Sequence, residues 1–366
     1  MKKEAPDMPF LVTLSLLIIA GLFIFISGSL GLVARDGGTS FFSSIIIKQL
    51  IFGAAGLVAL YLASRLPYKF WRSWALYLFI FSLAVTSLVF IPGLGARLGG
   101  AVRWIDIGPF SFQPGEFLKL GFVIYFAAWL SGRKEKLGSF SEGILPMLLL
   151  LGITTGILIK QPHTGMAVVI FATAISMFFV AGGKAKHLFF LFLIGLGALG
   201  IVALTRPHVM SRFMTFWSLE NADPQGAGYQ IRQSLIAVGS GGAFGKGFGQ
   251  SAQKFDYLPE AIGDSIFAVA AEEFGFVGSV GLVALFLLYC LAGLKVAARA
   301  PDFFGRLLVV GLVILVVSQS FANMAAMVGL LPLSGIPVLF ASQGGTALFF
   351  TLLEAGIILS VSRHRA

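Results

Sequence analysis

The chain has little of what a water-soluble enzyme needs. Only 11% of its 366 residues are charged, against about 25% in an ordinary soluble domain, so it cannot clothe a globule in water. Cysteine is almost absent, and the single Cys290 excludes a disulfide framework and any four-cysteine zinc or iron–sulfur centre. The four histidines, His163, His187, His208 and His364, are scattered, without the helical pairing or carboxylate spacing of a zinc site. No Gly-x-Ser-x-Gly elbow occurs, so covalent catalysis by serine or cysteine has no support. No soluble domain, low-complexity tail or internal repeat is visible, and residues 1–366 read as one integral-membrane unit. What the chain has in excess is apolar surface, with 57% hydrophobic residues and a mean hydropathy of +0.93.

A membrane-crossing helix needs about 20 mostly apolar residues. Ten stretches qualify: Met8–Leu32, Ser43–Leu62, Ser73–Ile91, Glu116–Leu130, Ile144–Ile159, Gly165–Ala181, His187–Leu204, Ser265–Leu294, Phe304–Met327 and Thr346–Val361. The first is expected to be a span rather than a cleaved signal, since its apolar run is too long and no small-x-small site follows. The expected fold is therefore an all-α polytopic membrane protein of about ten transmembrane helices. An even number puts both termini on one side. With that side cytoplasmic, the inside segments hold fifteen Lys and Arg and the short outside segments four, as the positive-inside rule requires. The net charge of +10 is thus mostly topological, and no nucleic acid is implied.

Two outside segments are unusual. Pro92–Gly115 is glycine-rich and carries Arg103, Trp104 and Asp106. Thr205–Asp264, between the seventh and eighth spans, is too long for a simple connection. Within it Val209, Met210, Phe213, Met214, Phe216 and Trp217 recur at helical spacing beside Arg206 and Arg212, which predicts a helix lying flat in the outer leaflet with its basic residues at the headgroups. An aromatic anchor and a substrate grip are equally consistent with that pattern.

Ionisable residues inside spans are costly and mark cavities or partners. The candidates are Lys48, Glu116, Lys119, Glu272, Glu273 and Glu354. Glu116 and Lys119 are three apart and share a helix face. Gln113-Pro-Gly-Glu116 also reads as a helix start, where a carboxylate favours the positive dipole end. Asp264 stands where the long loop meets the eighth span, and helix capping competes there with catalysis. Along that helix Glu272 lies about 12 Å deeper, and at most one of Glu272 and Glu273 shares a cavity with Asp264. The stretch Gly239–Gly249 sets six glycines around Lys246, which suits either a pyrophosphate contact or a re-entrant turn. A carboxylate at an outer face, basic groups around it and a lipid-accessible bundle suit acid/base chemistry on an anionic lipid-linked substrate. They suit a transporter of that substrate equally.

Six segments resemble the SEDS family, that of RodA, FtsW and SpoVE: Gly100-Ala-Val-Arg-Trp-Ile-Asp-Ile-Gly108; Gln113-Pro-Gly-Glu116 with Lys119; Gly228–Gly242; Gln253-Lys-Phe-Asp-Tyr-Leu-Pro-Glu260; Asp264-Ser-Ile-Phe-Ala268 with Glu272-Glu-Phe-Gly275; and Gly329–Pro337. The resemblance implies a peptidoglycan glycosyltransferase that polymerises lipid II, an undecaprenyl-pyrophosphate-linked disaccharide-pentapeptide, on the outer side of the bacterial cytoplasmic membrane. It implies a class B penicillin-binding protein as partner, and it marks Asp264 as the essential aspartate, with Trp104, Glu116 and Lys119 as further site residues. On that basis Asp264 is expected to act as general base, while Arg103, Lys119 and Lys246 neutralise the leaving pyrophosphate, with or without a divalent cation such as Mg or Mn. A lipid II flippase and a non-catalytic scaffold are the competing readings. Paired broken helices would mark the flippase, and none is legible. The chain departs from the family at Gln161-Pro-His163, where Gln-Pro-Asp is usual, at Gly115 for the usual serine, at Ala261-Ile-Gly263 before Asp264, and at Gln343.

Overall fold

The computed structural model describes residues 5–35, 39–98, 101–218, 223, 226–255 and 257–364. Lys2, Lys3 and Arg365 of the charge count, and Gly100 and Asp256 of the quoted motifs, lie outside the described residues. Among the described residues twelve α-helices and three short strands follow in order: α1 (Met8–Arg35), α2 (Thr39–Arg65), α3 (Lys69–Ser87), β1 (Gly95–Leu98), β2 (Ala101–Ile107), β3 (Phe110–Phe112), α4 (Pro114–Gly132), α5 (Leu145–Lys160), α6 (Thr164–Val180), α7 (Ala185–Thr205), α8 (Pro207–Trp217), α9 (Ala227–Ser240), α10 (Ile266–Ala298), α11 (Phe303–Met327) and α12 (Gly345–Ser362). Eight helices among the described residues are long and apolar enough to cross a membrane. The 19-residue α4, which carries Glu116 and Lys119, and the 17-residue α6 pack in the bundle with them but are not among those eight, so eight of the ten expected stretches have the length and hydropathy of a crossing helix. The chain is a multi-pass membrane protein.

The bundle is built around α11, whose Leu307, Leu308, Val309, Leu312, Val313 and Val316 are all fully buried. It packs against α4, α6, α10 and α12, while α1 lies on α10, α2 on α12, α3 on α4 and α5 on α6. Between membrane helices lipid offers little hydrophobic driving force, so small residues that let backbones approach carry the packing. At Gly311 of α11, an added Cβ would stand 2.6 Å from Val123 and 2.7 Å from the Met177 sulfur. That glycine is where α4, α6 and α11 meet.

Two features are not legible in the sequence. The first is an antiparallel three-stranded sheet, ordered β1-β2-β3, in the glycine-rich segment between α3 and α4. Its register slips between Ala96↔Trp104 and Arg97↔Val102, so Arg103 is the extra, bulged residue, and bulges re-aim side chains. The second is a break in α10 at Gly275, whose φ of 67° and ψ of −164° lie in a region open essentially to glycine alone.

A broken helix in a membrane protein exposes backbone groups that lipid cannot satisfy. Here the glycine-rich stretch after α9 satisfies them. The amides of Lys246 and Gly247 donate to the carbonyls of Glu272 and Glu273 at 3.0 and 2.9 Å, and the amides of Phe276 and Val277 donate to Gly242 and Ala243 at 2.8 and 3.0 Å. The re-entrant-turn reading of Gly239–Gly249 is therefore the one the fold supports. A methyl group on Gly275 would sit 2.3 Å from the Gly245 amide nitrogen. Gly275→Ala is expected to lower stability by at least roughly 1–3 kcal/mol from backbone strain alone, read as a fall in the thermal unfolding midpoint in detergent. Gly281→Ala, with open space around the same atom, should leave the midpoint within a few degrees.

Candidate active site

Asp264 ends the turn that leads into α10. The Glu260 carbonyl, on a residue with φ of 52°, accepts from the amides of Gly263 and Ser265 at 2.9 and 3.0 Å. The Ser265 hydroxyl donates to the Pro259 carbonyl at 2.8 Å and accepts from the Gln230 amide of α9 at 3.0 Å. From α11, the Asn323 amide donates both to the Asp264 carbonyl at 2.7 Å and to the Ile336 carbonyl at 2.6 Å. Ser265, not Asp264, is the N-cap of α10, and it makes no side-chain cap bond. The Asp264 carboxylate is therefore not the cap of α10.

Two guanidiniums and one carboxylate act on it. Arg103 is held against the α5–α6 turn, donating to the Gln161 carbonyl at 3.2 Å and to the Pro162 carbonyl, while the Gln161 amide is tied to the Thr86 carbonyl at 2.8 Å. Arg212 projects from α8 over Gly335, where an added Cβ would meet both of its terminal nitrogens at 3.2 Å. The helix expected in the long loop is α8, with Met214 and Trp217 exposed, but Arg212 turns inward against Gly335. Sequence periodicity could not show this, because it does not say which flank of α8 meets the bundle. Burial raises the Asp264 carboxyl to about 6, helped by Glu260 and opposed by Arg212 and Arg103. Burial and the neighbouring Arg212 lower Arg103 to about 10, with Asp264 pulling the other way. Arg212 is lowered by burial and supported by Asp264.

Deeper in the bundle, Lys119 pairs with Glu116 at 2.8 Å, each side chain 2% exposed, and donates to Gln319 at 2.5 Å. Gln319 in turn donates to the Pro337 carbonyl at 3.3 Å. Glu116 thus serves Lys119 more directly than it serves the helix terminus. Buried Glu354 of α12 lies within the field of the same pair. His163, which occupies the departure from Gln-Pro-Asp, is buried and kept neutral by burial and by Arg103, Lys119 and Arg212. Buried polar atoms without a partner include Glu116 Oε1, His163 Nδ1, Asn323 Oδ1 and Ser334 Oγ. Such orphans mark where an ordered water or a polar ligand belongs. Trp104 follows Arg103 on β2, partly buried opposite Ala96.

Lys246 stands apart. Its ammonium is taken by Glu272 at 2.5 Å, and it is not among the charges acting on Asp264. Glu272 and Glu273 both belong to that second cluster, so neither shares the Asp264 cavity. Among the described residues no three His, Cys, Asp or Glu converge as a metal cage. Asp264 and Glu260 are the carboxylates that a divalent cation beside the site would use, together with substrate oxygens. Below the turn, an apolar groove of about 670 Å³ is lined by Val238, Phe267, Ala271, Phe276, Val280 and Met324, among others. Phe267 and Ala271, four apart on α10, share a helix face and form part of the groove wall, while Asp264 lies in the turn before the helix and does not line the groove.

A family model described as cell cycle protein, that of FtsW, RodA and SpoVE, matches residues 7–366. The chain belongs to this family. Relatives include the stage V sporulation protein E of Bacillus subtilis, 37% identical over 99% of this chain and 98% of that protein. Another is the probable peptidoglycan glycosyltransferase FtsW of Geobacter sp. strain M18, 37% identical over 98% of this chain and 97% of that protein. Among solved structures, Thermus thermophilus RodA has a TM-score of 0.68 at 28% identity, covering 95% of this chain and 96% of that one. A chain of a peptidoglycan synthase complex that coordinates polymerization and crosslinking scores 0.74 at 27% identity, covering 94% and 97%. In this FtsW/RodA/SpoVE member Arg103, Arg212 and Glu260 act on Asp264 and Asn323 holds its carbonyl, while Glu116 and Lys119 pair with each other and with Gln319 deeper in the bundle.

Two expectations follow. The folded Asp264 carboxyl titrates above its ordinary value, so the stability associated with its protonated form is complete below about pH 4 and lost as pH rises through about 6. Relative to Asp264→Asn, the native chain should therefore lose about 2 kcal/mol between those pH values, measured as the difference between their unfolding midpoints. Lys119→Met strands a buried carboxylate and should cost roughly 3–5 kcal/mol, whereas Lys119→Met with Glu116→Gln should recover most of the unfolding midpoint.

Proposed function

We propose that the chain is a peptidoglycan glycosyltransferase that polymerises lipid II at the outer face of the bacterial cytoplasmic membrane, with Asp264 as general base. The observation that carries this reading is a partly buried carboxylate, raised to about 6 and within the field of two guanidiniums, three residues before an apolar groove whose wall begins at Phe267. The groove supports a polyprenyl chain, the guanidiniums support a pyrophosphate, and the carboxylate supports a sugar hydroxyl. The distribution of basic residues in the sequence supports the outward orientation.

In this reading the acceptor 4-hydroxyl gives its proton to Asp264 as its oxygen bonds to C1 of the donor sugar. The bond from C1 to the pyrophosphate oxygen breaks, and undecaprenyl pyrophosphate leaves with the electron pair. Negative charge grows on the leaving group, and cations already in place stabilise it without reorganising. Arg103 and Arg212 take that role. The Gln161 and Pro162 carbonyls hold Arg103 in place, and Arg212 lies beside Gly335. Trp104 offers a flat apolar surface to the sugar, and Glu116 orients Lys119 towards the crevice below. A carboxyl near 6 is ionised at neutral pH yet more basic than an ordinary aspartate, which favours proton uptake. The likeness to a synthase complex that couples polymerization to crosslinking supports a class B penicillin-binding protein as partner.

Purified protein incubated with lipid II in detergent should form glycan strands on a gel, with the acid limb of kcat/KM near pH 6. Asp264→Asn should lose at least about 10²–10⁴-fold, the usual contribution of a general base. Near-normal polymer from the folded Asn variant rejects the assignment. Lipid II translocation in liposomes without any polymer selects the flippase.

A further inference from the structure

The half of α10 that carries the site, residues 266–274, ends at the Gly275 break and is too short to be a stable helix by itself. Two adjacent carboxylates fasten its lower end. Glu272 accepts from Lys246 Nζ at 2.5 Å, Ser240 Oγ at 3.1 Å and the Ala252 amide at 3.3 Å through Oε1, and from Ser251 Oγ at 2.5 Å and the Gln253 amide at 3.1 Å through Oε2. Glu273 accepts from Lys254 Nζ at 2.6 Å and the Ser251 amide at 3.4 Å through Oε1, and from Ser27 Oγ of α1 through Oε2. Lys254 also donates to the Ser27 carbonyl at 3.1 Å, and the Gly249 amide donates to Ser27 Oγ at 3.0 Å. Two carboxylates and two ammoniums thus close a neutral cluster that joins α1, the end of α9 and the 246–254 segment to the half-helix.

Buried ion pairs seldom add net stability over apolar residues of the same volume, and their best-attested use is to fix one arrangement among several. The break makes such fixing necessary here. Helical continuity with 276–298 no longer dictates the rotation or depth of 266–274, and a displacement of about 1 Å at a reacting group can cost on the order of 10²-fold. The geometry points to Lys246, Glu272, Glu273 and Lys254 as positioning residues that set where Asp264 stands relative to Arg103 and Arg212. This rests on the reading of Asp264 as the base, and it removes Lys246 from the phosphate ligands.

The charged groups facing Asp264 are Arg103 from β2, Arg212 from α8 and Glu260 from its own turn. Asn323 of α11 and Gln230 of α9 hold the backbone beside it. None belongs to the cluster, so a variant there reaches Asp264 only indirectly, through the half-helix or through α9 and the 252–260 segment that the cluster also ties down.

The test is Lys246→Ala in the full chain, whose side chain is 38% exposed, so that water can reach Glu272 and the fold survives. A positioning role predicts kcat for lipid II polymerisation down at least tenfold and KM within about twofold, since a misplaced catalytic group affects the chemical step and not the grip on substrate. It also predicts an acid limb displaced below pH 6 as the loosened half-helix lets water reach Asp264. A raised KM with kcat and the acid limb unchanged overturns the proposal and returns Lys246 to the pyrophosphate. Glu272→Asp, which keeps the charge but shortens the reach by one methylene, should show the same split at an unfolding midpoint near that of the native chain; native kinetics in that variant also overturn it. Amide hydrogen exchange over 266–274 separates this proposal from the base assignment. Faster exchange there in Lys246→Ala, with α11 unchanged, supports the cluster whatever Asp264→Asn does, and unaltered exchange defeats the cluster even if Asp264→Asn is inactive.

Discussion

A helix interrupted inside a lipid-embedded protein leaves amides and carbonyls that must find partners within the chain. In this molecule that demand is met by the glycine-rich stretch after α9, whose backbone runs so close to Gly275 that neither side has room for a Cβ. The rest of the site follows from this contact. Because the break is sealed, the half-helix above it can hold an angle of its own, and the turn before it can bring a carboxylate inward, within the field of Arg103 and Arg212, instead of out to lipid. The glycines there serve backbone pairing, and the phosphate-cradle reading of the same residues is unnecessary.

The site divides its labour by depth. Near the turn, charges are partly buried, and two guanidiniums and Glu260 act on one raised carboxyl. Below, Glu116 and Lys119 are sealed from solvent and linked through Gln319 to the segment that lies against the upper groups. A buried pair of this kind has high electrostatic stakes, because loss of either partner strands the other in low dielectric. Its value is geometric: Lys119 cannot leave without abandoning both Glu116 and Gln319.

Most of the bundle is legible in the residue pattern alone, since a hydrocarbon core imposes a length and a composition on whatever crosses it. The Glu116–Lys119 pair is legible too, because a spacing of three on a helix is a geometric statement. Asp264 is different: spacing alone allows a cap, and only the resemblance favours catalysis. The break at Gly275 escapes notice because hydropathy records no dihedral angle, and a glycine in an apolar run is ordinary in membrane helices. Periodicity sends Arg212 to the headgroups because it fixes which residues share a face and leaves open what that face meets. The sheet hides behind its own glycines, and the bulge that redirects Arg103 depends on pairing partners that local sequence does not name.

Asn323 has a wider effect than its size suggests. One primary amide grips the carbonyl of Asp264 and that of Ile336, residues on two separate connections. A single residue inserted into either connection would carry its carbonyl out of reach, so the lengths of these two loops are interlocked. Variation in loop length is therefore expected to gather elsewhere on this surface, on stretches that owe nothing to that shared fulcrum.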